Sequence, residues 1–374
     1  MSADRLNDVF ARLERRVSDD LFPGFTAMVV RHGKIVGQAA FGKKARSGNE
    51  PMTLDTIFDL ESMSKVVATA IAAIVLVERG KLKLDDTVVR WLPDFTGPGK
   101  DAVTVRDMLR YSAGLPIDNQ FFDMPAEEIW RKMAQTPLAS PPGKTVEYSD
   151  LTYRLLGRVI ESASGTRLDV FCRENIWTPL GMTDTMYNPP KEIWPRVAAT
   201  GPNLRRKDIL RGVVQDDQDF ELGGVVGCDG VFSTAKDLAV FAQMLLAGGI
   251  YNGKRILSEE LTVALVSNQT PFVDKAHTDT SQLTNLLSTP KGYGFEISTQ
   301  RFSPVGMRFS QNSYGKTGGA GTFMWVDPQR MLFGILLTNH GLPVPFDEPG
   351  WDKMLQHVGP NEFFDGLINA ITDE

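Results

Sequence analysis

The chain has 374 residues, and its 42% hydrophobic and 23% charged residues are ordinary for a soluble globular protein. The net charge of −6 without a basic stripe argues against nucleic acid as a partner, and no apolar run reaches the ~20 residues that span a membrane. Two cysteines and four scattered histidines form neither a disulfide framework nor a set with metal-ligand spacing. We therefore expect no metal, no cofactor and no membrane contact. Because no apolar targeting segment opens the chain, we expect a cytoplasmic location.

The first predicted element is an amphipathic helix over residues 3–17, whose apolar side chains fall on one face. Residues 25–41 contain two β-rich runs that meet at a glycine-containing turn, and they predict a hairpin. The almost wholly apolar stretch 66–77 predicts a buried helix that begins at Ser62 and is capped by Gly80.

Residues 81–224 carry mostly helical patterns broken by turns, and another helix is predicted at 235–246. Three strand patterns, the first at 292–298, then precede a closing helix. Strands at both ends with helices between them predict a sheet lobe interrupted by a helical lobe, with the active site in the cleft between the lobes. The polar, irregular stretch 268–291 fits either a mobile flap or a plain surface loop.

The first chemical motif is Ser62-Met63-Ser64-Lys65, at the start of the buried helix. Residues three apart on a helix share a face, so the Lys65 amine can reach the Ser62 hydroxyl and help to remove its proton. Burial and the positive end of the helix dipole both disfavour a charged amine, which predicts a lowered pKa for Lys65. Three other Ser-x-x-Lys matches begin no buried helix. The alternative is that Ser62 only caps the helix.

The second motif is Tyr148-Ser149-Asp150, directly before a predicted helix. The Tyr148 phenol becomes a useful base only if nearby cations lower its pKa from its usual value of about 10. Asp150 is the expected N-cap of the helix. The alternative is a plain capped helix with a half-buried tyrosine.

The third motif is Lys316-Thr317-Gly318-Gly319, before a predicted strand. Without side chains, the glycine backbone can come close to a substrate carbonyl, and its N–H groups can form part of an oxyanion hole. The alternative is a glycine-rich bend with a solvent-facing lysine.

In this order and at these intervals along the chain, the three motifs resemble those of the penicillin-recognising serine hydrolases. That family comprises class C β-lactamases, DD-peptidases and family VIII carboxylesterases. Similar landmarks at 57–60, 80–86 and 230–234 extend the resemblance over roughly residues 20–340.

The resemblance implies an α+β fold, in which an antiparallel sheet flanked by helices carries an inserted all-helical lobe. Residues 1–374 would form a single β-lactamase-like catalytic domain, with the α/β lobe at roughly 1–80 and 225–374 and the helical lobe at roughly 81–224. The expected partner is a small ester or amide substrate, and the oligomeric state stays open.

By the same resemblance, Ser62 is the nucleophile that forms an acyl-enzyme, and Lys65 and Tyr148 share the base and acid work. Lys316 supplies a positive potential that favours the Tyr148 phenolate and attracts anionic substrate groups. The backbone N–H groups of Ser62 and Gly319 form the oxyanion hole. The expected substrate-binding residues are Lys316, Thr317, Gly318, Asp150, Phe121, Phe122 and Trp325.

The chain departs from that family in ways that bear on the reaction. Position 150 is often asparagine, and an aspartate near Lys65 would hold the amine protonated and shift the base role to Tyr148. Asp150 also lacks the amide that β-lactamases use to hold the acylamino group of the drug. The aromatic residues near Phe121 and Trp325 fit an acyl or alcohol pocket, and core packing explains them nearly as well.

We therefore expect a serine hydrolase that acts through an acyl-enzyme on Ser62, with a carboxylesterase for short acyl esters as the first hypothesis. A class C-type β-lactamase or D-amino-acid peptidase is the alternative, favoured by Lys316, whose charge suits a substrate carboxylate. A non-catalytic binding module on the same fold is the second alternative, which the intact set of catalytic residues argues against.

Overall fold

The computed structural model describes residues 1–203, 205–271, 290–299, 303, 305–341 and 348–373, so most of the predicted loop at 268–291 lies outside the described residues. The strands are β1 (Gly24–Arg31), β2 (Lys34–Gly42), β3 (Phe58–Asp59), β4 (Met186–Tyr187), β5 (Thr200–Asn203), β6 (Asp208–Leu210), β7 (Val231–Ser233), β8 (Ile250–Tyr251), β9 (Lys254–Arg255), β10 (Glu296–Ile297), β11 (Tyr314–Gly318), β12 (Thr322–Asp327) and β13 (Leu332–Thr338). The helices are α1 (Ala3–Ser18), α2 (Ile71–Glu78), α3 (Val105–Leu109), α4 (Ala126–Gln135), α5 (Asp150–Ser164), α6 (Leu168–Cys172), α7 (Thr178–Leu180), α8 (Asp217–Glu221), α9 (Ala235–Leu246), α10 (Glu259–Val266), α11 (Glu348–Val358) and α12 (Pro360–Asn369). In the described part of the chain, no helix combines the length and the apolar character needed to cross a bilayer.

A six-stranded antiparallel sheet forms the centre of the fold, in the order β10-β11-β12-β13-β1-β2. β1 and β2 pair as the predicted hairpin around His32-Gly33. β1 also pairs with β13, with Phe25 opposite Thr338, so strands from the two ends of the sequence lie side by side. The prediction of an α+β fold built on an antiparallel sheet is confirmed.

Both faces of the sheet are covered by helices, and β12 shows how one strand serves both. Successive side chains of a strand point to opposite faces. Met324 and Val326 join the core around the Ser62 helix. Phe323 and Trp325 join a second core under α1 and α12. The burial of these apolar side chains, at about 25 cal/mol per Å² removed from water, is the main force that holds the layers together.

The helix that carries Ser62 changes its winding along its length. It starts as a 3-10 turn at Glu61–Met63, widens to a π-helix at Lys65–Ala70 and continues as α2. Gly80 follows its end with a φ of +66°, a conformation that glycine adopts without strain. The predicted buried helix and its glycine cap are confirmed. The π-helical segment was not predicted, and such segments are frequent at functional sites.

The region predicted as a helical lobe, 81–224, is mainly helical but not entirely so. It contains the short strands β4, β5 and β6, which the prediction of an all-helical lobe lacked. Each has only two to four residues, too few for an alternating pattern to stand out in the sequence. The lobe boundaries themselves stay a prediction.

The strand predicted at 292–298 is reduced to β10. The Gly292 N–H donates to the Phe295 carbonyl at 2.9 Å, and Gly294 has a φ of +82°. The chain therefore bends tightly just before β10, and only two residues remain to pair with β11.

Helix α5 packs against the segment 226–229 at very short range. Gly157 on α5 faces Gly227, and a Cβ atom on Gly157 would lie 2.9 Å from the Gly227 nitrogen. Real Cβ atoms do not approach backbone so closely without displacement, so this contact requires glycine. It brings the backbone next to Asp229 close to α5.

We predict that Gly157→Ala destabilises the protein by about 1–3 kcal/mol, because the new methyl group would press on the Gly227 backbone. Helix propensity alone would act in the opposite direction by about 1 kcal/mol, since alanine is the better helix former. The measurement is the free energy of unfolding in urea. The matched control is Ser162→Ala on the exposed side of the same helix, with an expected change within about 0.5 kcal/mol. A Gly157→Ala protein as stable as the wild type would show that the contact is not tight.

Candidate active site

Two side chains converge on the Ser62 hydroxyl. The Lys65 Nζ atom donates a hydrogen bond to Ser62 Oγ at 2.9 Å. The Tyr148 hydroxyl donates to the same Oγ at 2.7 Å, from a position 86 residues further along the chain. The family resemblance implied this meeting, and the geometry places the Ser62 hydroxyl between two proton-carrying groups, the arrangement that can activate a hydroxyl as a nucleophile.

Packing holds the Tyr148 ring in place. The ring stacks on Tyr111, with 5.2 Å between the ring centroids and an interplanar angle of 22°. The Glu147 N–H donates to the Tyr111 carbonyl at 2.8 Å, so the loop before α5 is tied to the same residue. Tyr148 is 5% exposed, which makes it a buried phenol rather than the half-buried ring of a plain capped helix.

Asp150 is the first residue of α5 but does not cap it. Ser149 is the N-cap, because its Oγ accepts a hydrogen bond from the Thr152 N–H at 3.0 Å. The prediction that Asp150 caps the helix is therefore wrong. Its carboxylate instead forms an ion pair with Lys65, with Oδ1 2.7 Å from Nζ.

Lys65 is fully buried among acidic groups. Besides the Asp150 contact, its Nζ lies 3.7 Å from an Asp229 carboxylate oxygen and donates to the Cys228 carbonyl at 3.3 Å. Burial lowers the pKa of the Lys65 amine, but the two carboxylates outweigh burial and hold that pKa well above its ordinary value. The predicted lowering of this pKa is therefore wrong. The expectation that Asp150 keeps Lys65 protonated is confirmed.

The pKa of the Tyr148 phenol also lies well above its ordinary value. Burial raises this pKa most and the charge of Asp150 raises it further, while Lys65 opposes both. The resting site thus holds a charged amine and a neutral phenol, and both donate to Ser62 Oγ. One proton must leave the Lys65–Tyr148 pair before either group can act as a base, and the two groups titrate as a unit.

Lys316, on β11, lies beside Tyr148 but is paired with an acid. Its Nζ is 4.8 Å from the centroid of the Tyr148 ring. The same Nζ forms an ion pair with Glu296, and both side chains are 1% exposed. Burial lowers the pKa of Lys316, although Glu296 opposes this effect. The alternative of a solvent-facing lysine is excluded, and Glu296 offsets the positive potential that was predicted at Tyr148.

Glycine lets β11 approach the turn that carries Ser62. A Cβ atom on Gly318 would overlap the Leu60 carbonyl oxygen, so the position requires glycine. Thr322 Oγ1 donates to the same carbonyl at 3.0 Å and ties the hairpin to the turn. Among the described residues, the N–H groups of Ser62 and Gly319 donate to no protein acceptor. Open donors on adjoining elements are what an oxyanion hole needs, and their role stays a prediction.

The aromatic residues predicted to bind substrate lie in different places. Trp325 is fully buried in the core under α1, and its Nε1 donates to Ser298 Oγ at 3.1 Å. The prediction that Trp325 binds substrate is wrong, because alternation along β12 turns it to that face of the sheet. Phe121 packs against the helical core, and the Phe122 ring centroid lies 3.8 Å from the Arg205 guanidinium. Contact of these two rings with a substrate stays a prediction.

Sequence reasoning missed two acids of the site, Asp229 and Glu296. Asp229 directly precedes the landmark at 230–234, and the Val231 N–H donates to Ser64 Oγ at 3.0 Å, which ties this segment to the Ser62 helix. The landmark was therefore the one available signal for Asp229. Glu296 lay inside the strand predicted at 292–298, and no sequence pattern indicates that its side chain pairs with Lys316.

A second buried ion network adjoins Lys65. Arg154, fully buried on α5, pairs with three aspartates from other parts of the chain. They are Asp118, Asp216 and Asp219. Cys228 Sγ donates to Asp219 Oδ2 at 2.7 Å, and burial raises the pKa of this thiol well above its ordinary value, so it stays a neutral donor. The network anchors the residue whose carbonyl accepts a hydrogen bond from Lys65.

Asp150, Cys228 and Asp229 bring three potential metal-ligand atoms within 4.8 Å of one another. The Lys65 ammonium already lies 2.7 and 3.7 Å from oxygens of the two carboxylates. A cation of the protein itself thus occupies the place that a metal ion would take. The thiol of Cys228 is also engaged with Asp219, so this donor set does not fit a metal.

Comparison with known proteins relates this site to a family. The model of the Beta-lactamase family matches residues 10–359. A protein of Salmonella agona named "Putative D-alanyl-D-alanine carboxypeptidase" is 29% identical over 390 aligned residues, which cover 94% of this chain and 84% of the relative.

Solved structures share the fold at low sequence identity. A penicillin-binding protein homologue from Caulobacter crescentus has a TM-score of 0.75 and 21% identity, with 98% of both chains covered. The structure of "EstCE1, a hydrolase with promiscuous acyltransferase activity" has a TM-score of 0.72 and 21% identity, over 95% of this chain and 98% of that chain. Since the family model spans most of the chain, and Ser62, Lys65 and Tyr148 meet as the resemblance implied, this protein belongs to the beta-lactamase family of serine hydrolases.

Proposed function

We propose that this member of the family is a carboxylesterase that cleaves short acyl esters through an acyl-enzyme on Ser62. The observation that carries the proposal is the position of Ser62 Oγ, 2.9 Å from Lys65 Nζ and 2.7 Å from the Tyr148 hydroxyl. A hydroxyl with two proton-carrying groups in hydrogen-bond reach can pass on its proton without a large movement. A neutral ester needs these groups and an oxyanion hole, and no further charged partner.

Acylation begins when the Lys65–Tyr148 pair has lost one proton. The Asp150 carboxylate stabilises the positive charge of the Lys65 ammonium, so the proton is lost from Tyr148 and the phenolate forms there. The phenolate takes the Ser62 proton as Oγ attacks the ester carbonyl carbon, and the N–H groups of Ser62 and Gly319 bind the oxygen that gains charge. When the bond to the alcohol oxygen breaks, Tyr148 returns the proton to that oxygen and the alcohol departs.

Deacylation repeats these steps with water in place of the alcohol. Tyr148 takes a proton from water as the water oxygen attacks the acyl carbon, and it gives the proton back to Ser62 Oγ when the acyl bond breaks. The product is a carboxylic acid. EstCE1 is described as a hydrolase with promiscuous acyltransferase activity. The acyl-enzyme proposed for the present protein would likewise transfer its acyl group if an alcohol replaced water.

A D-amino-acid carboxypeptidase or a class C-type β-lactamase is the second candidate. The name of the Salmonella agona relative and the presence of Lys316 favour it. Asp150 weighs against it, because its carboxylate is engaged with Lys65 and has no N–H for the acylamino group of such substrates. A purely non-catalytic binding role would not explain why Lys65 and Tyr148 both donate hydrogen bonds to Ser62 Oγ.

We predict that Ser62→Ala lowers kcat for p-nitrophenyl butyrate by about 10⁴-fold or more, because the acyl group loses its acceptor atom. The measurement is the release of p-nitrophenol, together with labelling by a fluorophosphonate probe for activated serines. The matched control is Ser64→Ala, whose Oγ accepts from the Val231 N–H, and labelling should persist in it. Undiminished turnover by Ser62→Ala would reject the nucleophile, and a wild type that takes no label would favour the binding module.

We predict that Asp150→Asn moves the rising, acidic limb of the pH–rate profile to lower pH by about one unit or more. The charge of Asp150 raises the pKa of Lys65 and that of Tyr148, so its removal lowers both. The pair then loses its proton, and becomes a base, at a lower pH. The measurement is kcat/KM for p-nitrophenyl butyrate across the neutral and alkaline range. Asp8→Asn on the exposed side of α1 should leave the profile in place, and an unmoved limb in Asp150→Asn would contradict the proposed base.

We predict that a chromogenic cephalosporin is hydrolysed with a kcat/KM about 10–100-fold below that of p-nitrophenyl butyrate, since position 150 offers no N–H to the drug. Both substrates are measured at the same enzyme concentration. The intact mass of the protein after mixing with penicillin shows whether a covalent adduct persists. Rapid lactam turnover with poor ester turnover would reverse the order of the two candidates, and a lasting stoichiometric adduct would indicate a penicillin-binding protein.

A further inference from the structure

The carboxylate of Glu296 contacts both Lys316 and Thr317. It forms an ion pair with Lys316 Nζ, and Thr317 Oγ1 donates to its two carboxylate oxygens at 3.3 and 3.4 Å. Each of the three residues is 1% exposed. Glu296 lies on β10 opposite Gly315 of β11, so the sheet itself keeps the acid beside these two residues.

This cluster lies beside Tyr148, the residue that protonates the leaving group in the proposed reaction. Lys316 Nζ is 4.8 Å from the centroid of the Tyr148 ring, and the Tyr148 hydroxyl is 2.7 Å from Ser62 Oγ. Tyr148 returns a proton to the departing oxygen, so that oxygen must come within hydrogen-bond reach of the phenol. Substituents on the leaving group therefore come near Lys316.

The charges at this position leave little net attraction for an anion. Glu296 cancels the charge of Lys316. Lys291 adds a second buried amine, but burial lowers its pKa to about 7, an effect that Glu296 opposes and Lys316 reinforces. A substrate carboxylate would have to compete with Glu296 for one ammonium group and one hydroxyl. Two like charges held close together in a buried site repel strongly.

We propose that Glu296 is a specificity-determining residue: its carboxylate occupies Lys316 and Thr317 from within the protein and excludes substrates whose leaving group bears a carboxylate. Neutral leaving groups are accepted, because they need no counter-charge there. The inference rests on the proposed esterase function of Ser62. Removing the charge of Glu296 while keeping its shape frees Lys316 to pair with a substrate carboxylate.

The test compares two esters that differ in one group, 3-carboxyphenyl butyrate and 3-carbamoylphenyl butyrate, in the wild type and in Glu296→Gln. We expect the wild type to cleave the amide-bearing ester with a kcat/KM at least about tenfold higher than the acid-bearing ester. In Glu296→Gln, the ratio of acid-bearing to amide-bearing kcat/KM should rise at least about tenfold. The matched control is Glu260→Gln, the same substitution on the exposed side of α10, which should leave the ratio unchanged.

A wild type that prefers the acid-bearing ester would overturn the inference. A Glu296→Gln protein that still cleaves the amide-bearing ester but keeps the wild-type ratio would overturn it as well. If that variant does not fold, calorimetric binding of the two product phenols to the wild type decides the question. Tighter binding of 3-hydroxybenzamide than of 3-hydroxybenzoate supports the role of Glu296, and equal or weaker binding overturns it. A wild type that cleaves neither ester rejects the esterase function instead, and the binding comparison still decides the role of Glu296.

Discussion

The buried ammonium group of Lys65 is the constraint on which the rest of the site depends. A fully buried lysine without counter-charge would lose its proton or leave the interior, because an unpaired buried charge is very unfavourable. Asp150 and Asp229 supply the counter-charge from two separate segments, so these segments and the Ser62 helix must meet at one point. The close contact of Gly157 with the Gly227 backbone lets the segment that carries Asp229 pack near α5, which carries Asp150.

The ion pairs around Ser62 differ in their surroundings and partners. The carboxylates around Lys65 raise its pKa, and in the proposed reaction the phenol of Tyr148 is therefore the group that changes its proton. Glu296 pairs with a neighbouring cation, Lys316, and in our proposal this pairing limits what Lys316 can bind. Arg154 touches neither pair directly, but it pairs with Asp219, which accepts a hydrogen bond from the Cys228 thiol. Three separate buried cations, Lys65, Lys316 and Arg154, thus have carboxylate partners of their own around Ser62.

Local patterns predicted most of the fold and the three residues at the centre of the site. The hairpin at 25–41 and the helix from Ser62 are specified by short-range periodicity, and the family resemblance carried by the three motifs implied that Tyr148 reaches Ser62. The argument from the helix end alone gave the wrong direction for the Lys65 pKa, because it left out the charges of Asp150 and Asp229, which come from distant segments. Trp325 was misplaced because alternation along a strand tells which residues share a face, and not which face looks toward the nucleophile.

The burial of these cations also bears on how the protein responds to its surroundings. The side chains of Lys65, Arg154 and Lys316 are at most 1% exposed, so dissolved ions screen their pairs with carboxylates much less than they screen pairs at the surface. Pairs at the surface are different, and Arg46–Asp20 is an example with 42% and 84% of its side chains exposed. Added salt therefore weakens the surface pairs more than the buried pairs around Ser62.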